Sequence, residues 1–188
     1  MLSQRWRLVI TATLLTPPLV WWGWNSPTAP DTNLGNKPDI QVDFFIQNAD
    51  MTRWSQDGTP AHSINTQLMR HLPERGLTLL SAPEVLVPAE PGQPPYRLRA
   101  DQGQVPDSQE QVELAGNVLL HDNPLSGAAV ELSTEQLTFF PAEDRAHTGH
   151  SVQIQHGDDI TEALGMDVFF EEQRIELLSD VKGVYHVP

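Results

Sequence analysis

The sequence predicts an all-β fold that follows one N-terminal transmembrane helix. An uncharged apolar run covers residues 8–24, a linker rich in Pro, Asn and Gly covers residues 25–39, and after residue 40 apolar and polar side chains alternate over short stretches. A period of two is typical of half-buried strands, and no later window has the period of a long amphipathic helix. The 188 residues therefore divide into a short N-terminus (1–7), the helix, the linker and one β-domain (40–188).

The apolar run is nearly long enough to cross a bilayer. Its 17 residues, at about 1.5 Å each, give a helix of roughly 25 Å, against about 30 Å of hydrocarbon. The run ends in three tryptophans, which suit a membrane interface better than a signal-peptidase site. A cleaved signal peptide, cut within residues 26–29, is the alternative. Pro17 and Pro18 are either a tolerated kink or a bend that neighbouring transmembrane helices shield.

Charge places the β-domain outside the inner membrane and excludes several function classes. Arg5 and Arg7 precede the apolar run, so the positive-inside rule leaves the N-terminus in the cytoplasm. From Asp31 onward, nine basic residues are scattered among 25 acidic ones. Nucleic-acid binding needs clustered Lys and Arg, so we expect no nucleic-acid partner.

The absence of cysteine excludes disulfides, thiolate metal sites and cysteine nucleophiles.

Histidines, serines and acid pairs give only weak signals of chemistry. His147, His150 and His156 are the densest histidine set, but residues three apart on a strand point to opposite faces unless a turn intervenes at Gly149. No serine lies in a G-x-S-x-G context, and there is no Gly-rich phosphate loop. We therefore predict no catalytic, metal or cofactor site. Paired acids occur at predicted turns or strand ends, where solvated carboxylates are the simpler interpretation: Glu143–Asp144, Asp158–Asp159 and Glu171–Glu172.

Similar segments recur along the β-domain. Residues 78–85, 112–120, 146–154 and 175–183 repeat at intervals of about 30 to 34 residues. Each consists of an alternating strand, a small or turn residue and a second strand, which predicts a hairpin stacked on its neighbours. A further alternating run assigns four side chains to one face: Leu164, Met166, Val168 and Phe170.

These features together resemble the LptC family, the single-pass component of the lipopolysaccharide export machine of Gram-negative bacteria. The resemblance covers essentially the whole chain, because it includes the anchor with its two arginines, the linker and the hairpin-like segments. The segments that carry it are DFFIQNADMTRWSQDGTPAHSI (43–64), LTLLSAPEV (77–85), RADQGQV (99–105), VELAGNVLL (112–120), PAEDRAHTGHSV (141–152) and IELLSDVKGVY (175–185).

The resemblance implies a twisted, boat-shaped antiparallel β-jellyroll with an open groove between its sheets, and a protein that is not an enzyme. Such proteins accept lipopolysaccharide from the ABC transporter formed by LptB, LptF and LptG and pass it to the periplasmic bridge protein LptA. Exposing acyl chains to water costs about 0.8 kcal/mol per CH₂, so a groove of apolar side chains can carry them. We expect the anionic headgroup to stay in solvent, because the exported part is strongly acidic.

The resemblance also assigns lipid-facing positions. Positions where family members face the transported lipid match Ala49, Leu80, Ile175 and Tyr185 in this sequence. We extend the predicted lipid path to residues of the alternating strands: Leu114, Val152, Met166 and Val168.

The two edges of the predicted sheet are assigned to different partners. The final strand has no covering helix or charged tail after it, and an open sheet edge can pair with a strand of another protein. The resemblance names that protein as LptA, and it matches Gly149 to a glycine in the same section, where a side chain would disturb strand packing. The other residues predicted on the LptA side are Val181 and Val184. The residues predicted on the transporter side are Phe44, Phe45 and Ile46.

Two other interpretations remain open. One is a membrane-anchored periplasmic β-scaffold that contacts only protein partners or peptidoglycan and holds no lipid. The other is a periplasmic enzyme. An open, apolar, strand-lined groove between the sheets would favour lipid transport over both.

Overall fold

The computed structural model describes residues 42–55 and 57–184, and every regular element in these ranges is a β-strand. The predicted anchor and linker lie outside the described residues. Within the described ranges, no helix has the length and apolar character that crossing a membrane requires. The strands are β1 (Phe44–Trp54), β2 (Pro60–Leu72), β3 (Leu77–Ser81), β4 (Glu84–Val87), β5 (Tyr96–Arg99), β6 (Gln102–Pro106), β7 (Val112–Asp122), β8 (Val130–Phe140), β9 (Arg145–His156), β10 (Asp159–Phe169) and β11 (Arg174–Val184).

The strands form one antiparallel sheet that runs from β1 at one edge to β11 at the other. Two positions in the sheet are each filled by two short strands instead of one long strand. β3 and β4 both pair with β2, and β5 and β6 both pair with β7. The short strands also pair with each other, β4 with β5 and β3 with β6. Short connections between successive strands favour this antiparallel arrangement. The predicted all-β antiparallel class is confirmed.

A line of kinks crosses the sheet near the middle of its long strands. Gly116 and Asn117 interrupt β7 with φ values of 78° and 47°, and Gly165 interrupts β10 with a φ of 82°. Ala82, which separates β3 from β4, and Asp180 in β11 also have positive φ, at 47° and 51°. Positive φ and an extra residue in one strand bend the ladder and increase its twist. The kinks therefore divide the sheet into two halves.

The sequence repeat corresponds to these kinked strands, and the hairpin interpretation of it is wrong. Segments 112–120, 146–154 and 175–183 each lie within one continuous strand, namely β7, β9 and β11. The small or turn residue at the centre of each segment lies where the ladder becomes irregular. A kink and a hairpin both use residues that tolerate unusual backbone angles, so the sequence pattern does not distinguish them. The hairpin turns lie instead between strands, as at 141–144.

The kink in β10 also changes which side chains face the core. Met166, Val168 and Phe170 are buried as predicted, but Leu164 is exposed and Ala163 is buried in its place. The register with β9 shifts between residues 164 and 166. One extra residue moves every side chain beyond it to the other face of the strand.

Folding along the kinks packs the inner faces of the two halves against each other. The ring of His62 on β2 lies 5.2 Å from that of Phe139 on β8, and the ring of Tyr96 on β5 lies 5.1 Å from that of Phe170 after β10. Neither pair of strands is adjacent in the sheet. Since no helix covers the sheet in the described part of the chain, its own halves must cover each other. The largest fully buried side chains of this core are Phe139, Leu98, Leu114, Leu132, Leu137 and Met166.

Buried threonines supply hydrogen bonds where the kinks interrupt the ladder. Thr66 Oγ1 donates to the carbonyl oxygen of Ser81 at 2.7 Å, and Thr134 Oγ1 donates to that of Ser151 at 2.9 Å. Both threonines are buried. A buried hydroxyl without a partner costs about 1–3 kcal/mol, so these hydrogen bonds satisfy the two threonines and stabilise the bend.

Candidate functional site

An open groove of about 690 Å³ lies between the two halves of the sheet, near β1. One wall consists of the second half of β1 and the first half of β2, and the other includes β3, β6 and the ends of β7 and β8. The groove exists because the sheet folds over without closing at this end. Its apolar lining includes Met51, Ile64, Met69, Leu80 and Val105.

The floor of the groove is continuous with the protein core. Ala49, Met69 and Leu80 form a small buried cluster. Ile64 and Val105 pack against this cluster and also against the main core. An apolar chain that entered the groove would therefore lie on well-packed hydrocarbon rather than on loops.

The structure separates the predicted lipid-facing residues into groups. Leu80 lines the groove, and Ala49 packs beside it in the same cluster. Ile175 lies far from them on β11, where it is 39% exposed, and Tyr185 lies outside the described residues. The remaining four are buried in the main core: Leu114, Val152, Met166 and Val168.

Sequence reasoning missed much of the groove lining. Val105 lies in an alternating pattern on β6, whereas the buried residues of β2, including Met69, are irregularly spaced, and neither strand had an assigned face. Arg53 and His62 also line the groove. The sequence did contain one signal for these residues. Met51 and Arg53 follow Ala49, a predicted lipid-facing residue, by two and four positions, and residues at this spacing share one face of a strand.

The groove contains cationic and neutral polar groups but no acid. Among the described residues that line it, Arg53 is the only Lys or Arg, and no Asp or Glu is present. Arg53 lies directly opposite His62 in the β1–β2 ladder. His62 Nε2 contacts Asp144 Oδ1 at 2.7 Å, and its Nδ1 is buried without a partner. The His62 ring also borders a second cavity of about 400 Å³.

The predicted transporter-side residues lie together on the β1 edge of the sheet. Phe44, Phe45 and Ile46 are all exposed, and Phe45 has 64% of its surface accessible. Phe44 stacks on the ring of His71, with centroids 5.1 Å apart. An exposed apolar patch on an edge strand is typical of a surface that binds another protein.

His71 ties the start of β1 to the neighbouring strands. Its Nδ1 contacts Asp43 Oδ1 at 2.8 Å and its Nε2 contacts Asp107 Oδ1 at 3.1 Å. The hydrogen bond to Asp43 raises the pKa of His71, desolvation opposes the rise, and the Asp107 carboxylate adds to it. Only the imidazolium form can donate to both carboxylates at once. Protonation therefore strengthens the attachment of β1.

We expect Asp43→Asn to lower the pKa of His71 towards its ordinary value of 6.5. Because the folded-state pKa is raised, this contact stabilises the fold fully below about pH 6.5 and is lost as the pH rises through the raised pKa. The measurement is an NMR titration of the His71 ring in both proteins. Asp107→Asn is the matched variant and should have a smaller effect. An unchanged pKa in Asp43→Asn would contradict the prediction.

The predicted LptA-side residues on β11 are exposed. Val181 and Val184 have 54% and 62% of their surface accessible, and Leu178 is similarly open. Among the described strands, β11 pairs only with β10. The sheet therefore has an apolar strand at this edge as well as at β1.

The packing reason expected for Gly149 is wrong. A Cβ atom added at Gly149 would meet no atom within 4 Å, so a side chain would point into open space. The contrast is Gly165, where a Cβ would lie 2.9 Å from Leu178 Cδ1 and φ is positive. A substitution at Gly149 would therefore alter the surface rather than the strand packing.

The densest histidine set in the sequence, at 147, 150 and 156, does not form a metal-binding cluster in the described residues. His147 Nδ1 contacts Asp167 Oδ1 at 3.0 Å, and Arg145 Nη1 donates to the same oxygen at 3.0 Å. Within residues 42–55 and 57–184, no three His, Asp or Glu side chains converge as metal ligands would.

Comparisons with known proteins agree with this geometry. A solved structure with a similar fold is that of LptH, the LptA-homologous periplasmic component of the lipopolysaccharide transport device of Pseudomonas aeruginosa. The TM-score is 0.52 at 9% identity, and the match covers 67% of this chain and 95% of that one. Identity this low shows a shared fold only. No curated protein matched. The family model described as "Lipopolysaccharide-assembly, LptC-related" matches residues 9–186, and the chain therefore belongs to the LptC family.

Proposed function

We propose that this protein is a single-pass inner-membrane component of lipopolysaccharide export, with its N-terminus in the cytoplasm and its β-domain in the periplasm. The β-domain accepts lipopolysaccharide from the LptB/LptF/LptG transporter and passes it to LptA. The observation that carries the proposal is the open groove of about 690 Å³ with an apolar floor, in a chain of the LptC family. Its role is binding and transfer rather than catalysis.

The groove suits acyl chains for two physical reasons. Each buried CH₂ contributes about 0.8 kcal/mol, so a chain lying on Met51, Ile64 and Leu80 gains affinity without any specific polar contact. The groove is also open to solvent between the two halves of the sheet, so a lipid can enter and leave without unfolding. A transfer protein must bind the lipid and also release it, and an open apolar groove permits both.

The two exposed edges support a direction of transfer. The β1 edge, with Phe44, Phe45 and Ile46, adjoins the groove, since Phe44 also lines it. We assign this edge to the transporter and the β11 edge, with Val181 and Val184, to LptA. An added strand at either edge would extend the sheet through backbone hydrogen bonds.

Photocrosslinking tests the proposal in cells that make lipopolysaccharide. A photoreactive residue at Leu80, in the groove, should crosslink to lipopolysaccharide, and one at Ile175 should do so if the lipid path reaches the β11 edge. Leu79 is the matched control, because it neighbours Leu80 on β3 and does not line the groove. A folded, expressed protein that captured only protein partners from Leu80 would favour the scaffold interpretation. Equal lipid capture at Leu79 and Leu80 would also contradict a groove.

A further inference from the structure

Arg53 is unlike most other arginines of the domain, because no carboxylate contacts it in the described part of the chain. Arg99 donates to Glu84 at 2.6 Å, and Arg145 contacts both Glu143 and Asp167. The chain holds 25 acidic and 11 basic residues, so an arginine has many potential partners. With respect to the described residues, the guanidinium of Arg53 is therefore available to a ligand.

The strand pattern directs Arg53 towards the groove. Ala49, Met51 and Arg53 are two residues apart on β1 and so share one face, and Ala49 is buried in the cluster below the groove. Met51 and Arg53 both line the groove. Arg53 therefore lies at one end of a row of side chains on β1. Met51 comes next in this row, and Ala49 lies in the apolar cluster at the groove floor.

The surroundings of Arg53 favour a negatively charged ligand. No acidic residue lines the groove among the described residues. The acid closest to this lining in the contacts above is Asp144, and its Oδ1 already contacts His62 Nε2 at 2.7 Å. His62 is the residue opposite Arg53 in the β1–β2 ladder. Salt screens exposed charges over about 8 Å, so acidic side chains farther than this from Arg53 act only weakly on it. The groups that line the groove therefore weigh more at Arg53 than distant acidic residues do.

We infer that Arg53 binds an anionic phosphate group of the lipid whose acyl chains lie on the groove floor. This inference rests on the proposed function and adds an orientation to it, with the headgroup at Arg53 and the tails towards Leu80. It replaces the expectation that the headgroup remains wholly in solvent. Guanidinium groups suit this contact, because two N–H donors can bind one phosphate at once.

The test compares phosphorylated with dephosphorylated lipid A. Full-length protein with a photoreactive residue at Leu80 is titrated with each lipid in mixed micelles, and the lipid concentration at half-maximal crosslinking is measured. One charge-assisted contact at an exposed site corresponds to about a three- to ten-fold change. We expect Arg53→Gln to raise the half-maximal concentration by about that factor for the phosphorylated lipid only. Arg53→Lys should recover part of the loss.

Arg70→Gln is the matched control, because Arg70 is an exposed β2 arginine that does not line the groove. We expect it to leave both titrations unchanged. Equal effects of Arg53→Gln and Arg70→Gln, or an equal effect of Arg53→Gln on both lipids, would overturn the inference. Inorganic phosphate at constant ionic strength should not compete, and competition at low millimolar concentration would identify a free-phosphate site instead. Absence of crosslinking with either lipid in the unmutated protein would contradict the proposed function itself.

Discussion

Phe139→Ala is expected to lower the free energy of unfolding by about 3–5 kcal/mol, the usual cost of removing a large aromatic side chain from a packed core. Phe139 has no exposed surface, and its ring meets His62 at 5.2 Å and Phe170 at 5.9 Å. The contact with His62 joins opposite halves of the sheet. The loss should therefore exceed that of an average core substitution, and it can be measured by urea unfolding.

Phe140→Ala is the matched control, because Phe140 is the next residue on β8 and faces the other side of the sheet. Its ring lies under the Arg145 guanidinium, 4.4 Å from the centroid, and is only half-buried. An exposed contact of this kind is worth about 0.5–1 kcal/mol. Equal losses for the two variants would show that the halves of the sheet do not cover each other.

Strand positions and the antiparallel class could be predicted because they follow from local patterns. Val112 and Leu114, for example, are two residues apart and both buried, as their alternation indicates. The face that a residue takes beyond a kink could not be predicted. Leu164 and Ala163 exchange places because Gly165 adopts a φ of 82°, and a glycine within a strand is compatible with a straight or a bulged ladder.

The groove could be anticipated only through the family resemblance. Its walls join strands that are far apart in the sequence, as the contact between His62 and Phe139 shows. No local pattern contains that information, because it depends on where the sheet folds over. The spacing of Arg53 from Ala49 indicates a shared strand face, but it does not distinguish a ligand-binding arginine from a solvated one. Its significance comes from the acid-free lining that the fold places around it.

Deleting residues 175–188 is expected to abolish copurification with LptA and to leave copurification with the transporter intact. The deletion removes β11, whose exposed edge we assign to LptA, while the β1 edge assigned to the transporter lies at the other end of the sheet. The deletion also uncovers β10, because Ile175 pairs with Val168 and Leu177 pairs with Met166. A second variant that leaves β11 in place is therefore needed.

Gly149→Arg supplies that second variant. Since a Cβ at Gly149 meets no atom within 4 Å, the arginine should be accommodated with a change in stability of about 0.5 kcal/mol or less. Thermal unfolding should thus be unchanged, while a bulky charge on β9 near the β11 edge should weaken LptA binding and leave transporter binding intact. Loss of both partners in folded Gly149→Arg, or of neither in the deletion variant, would show that the two edges of the sheet are not divided between LptA and the transporter. Binding of LptA to Gly149→Arg but not to the deletion variant would confine the LptA surface to β11 itself, where exposed Val181 and Val184 would be the first side chains to replace.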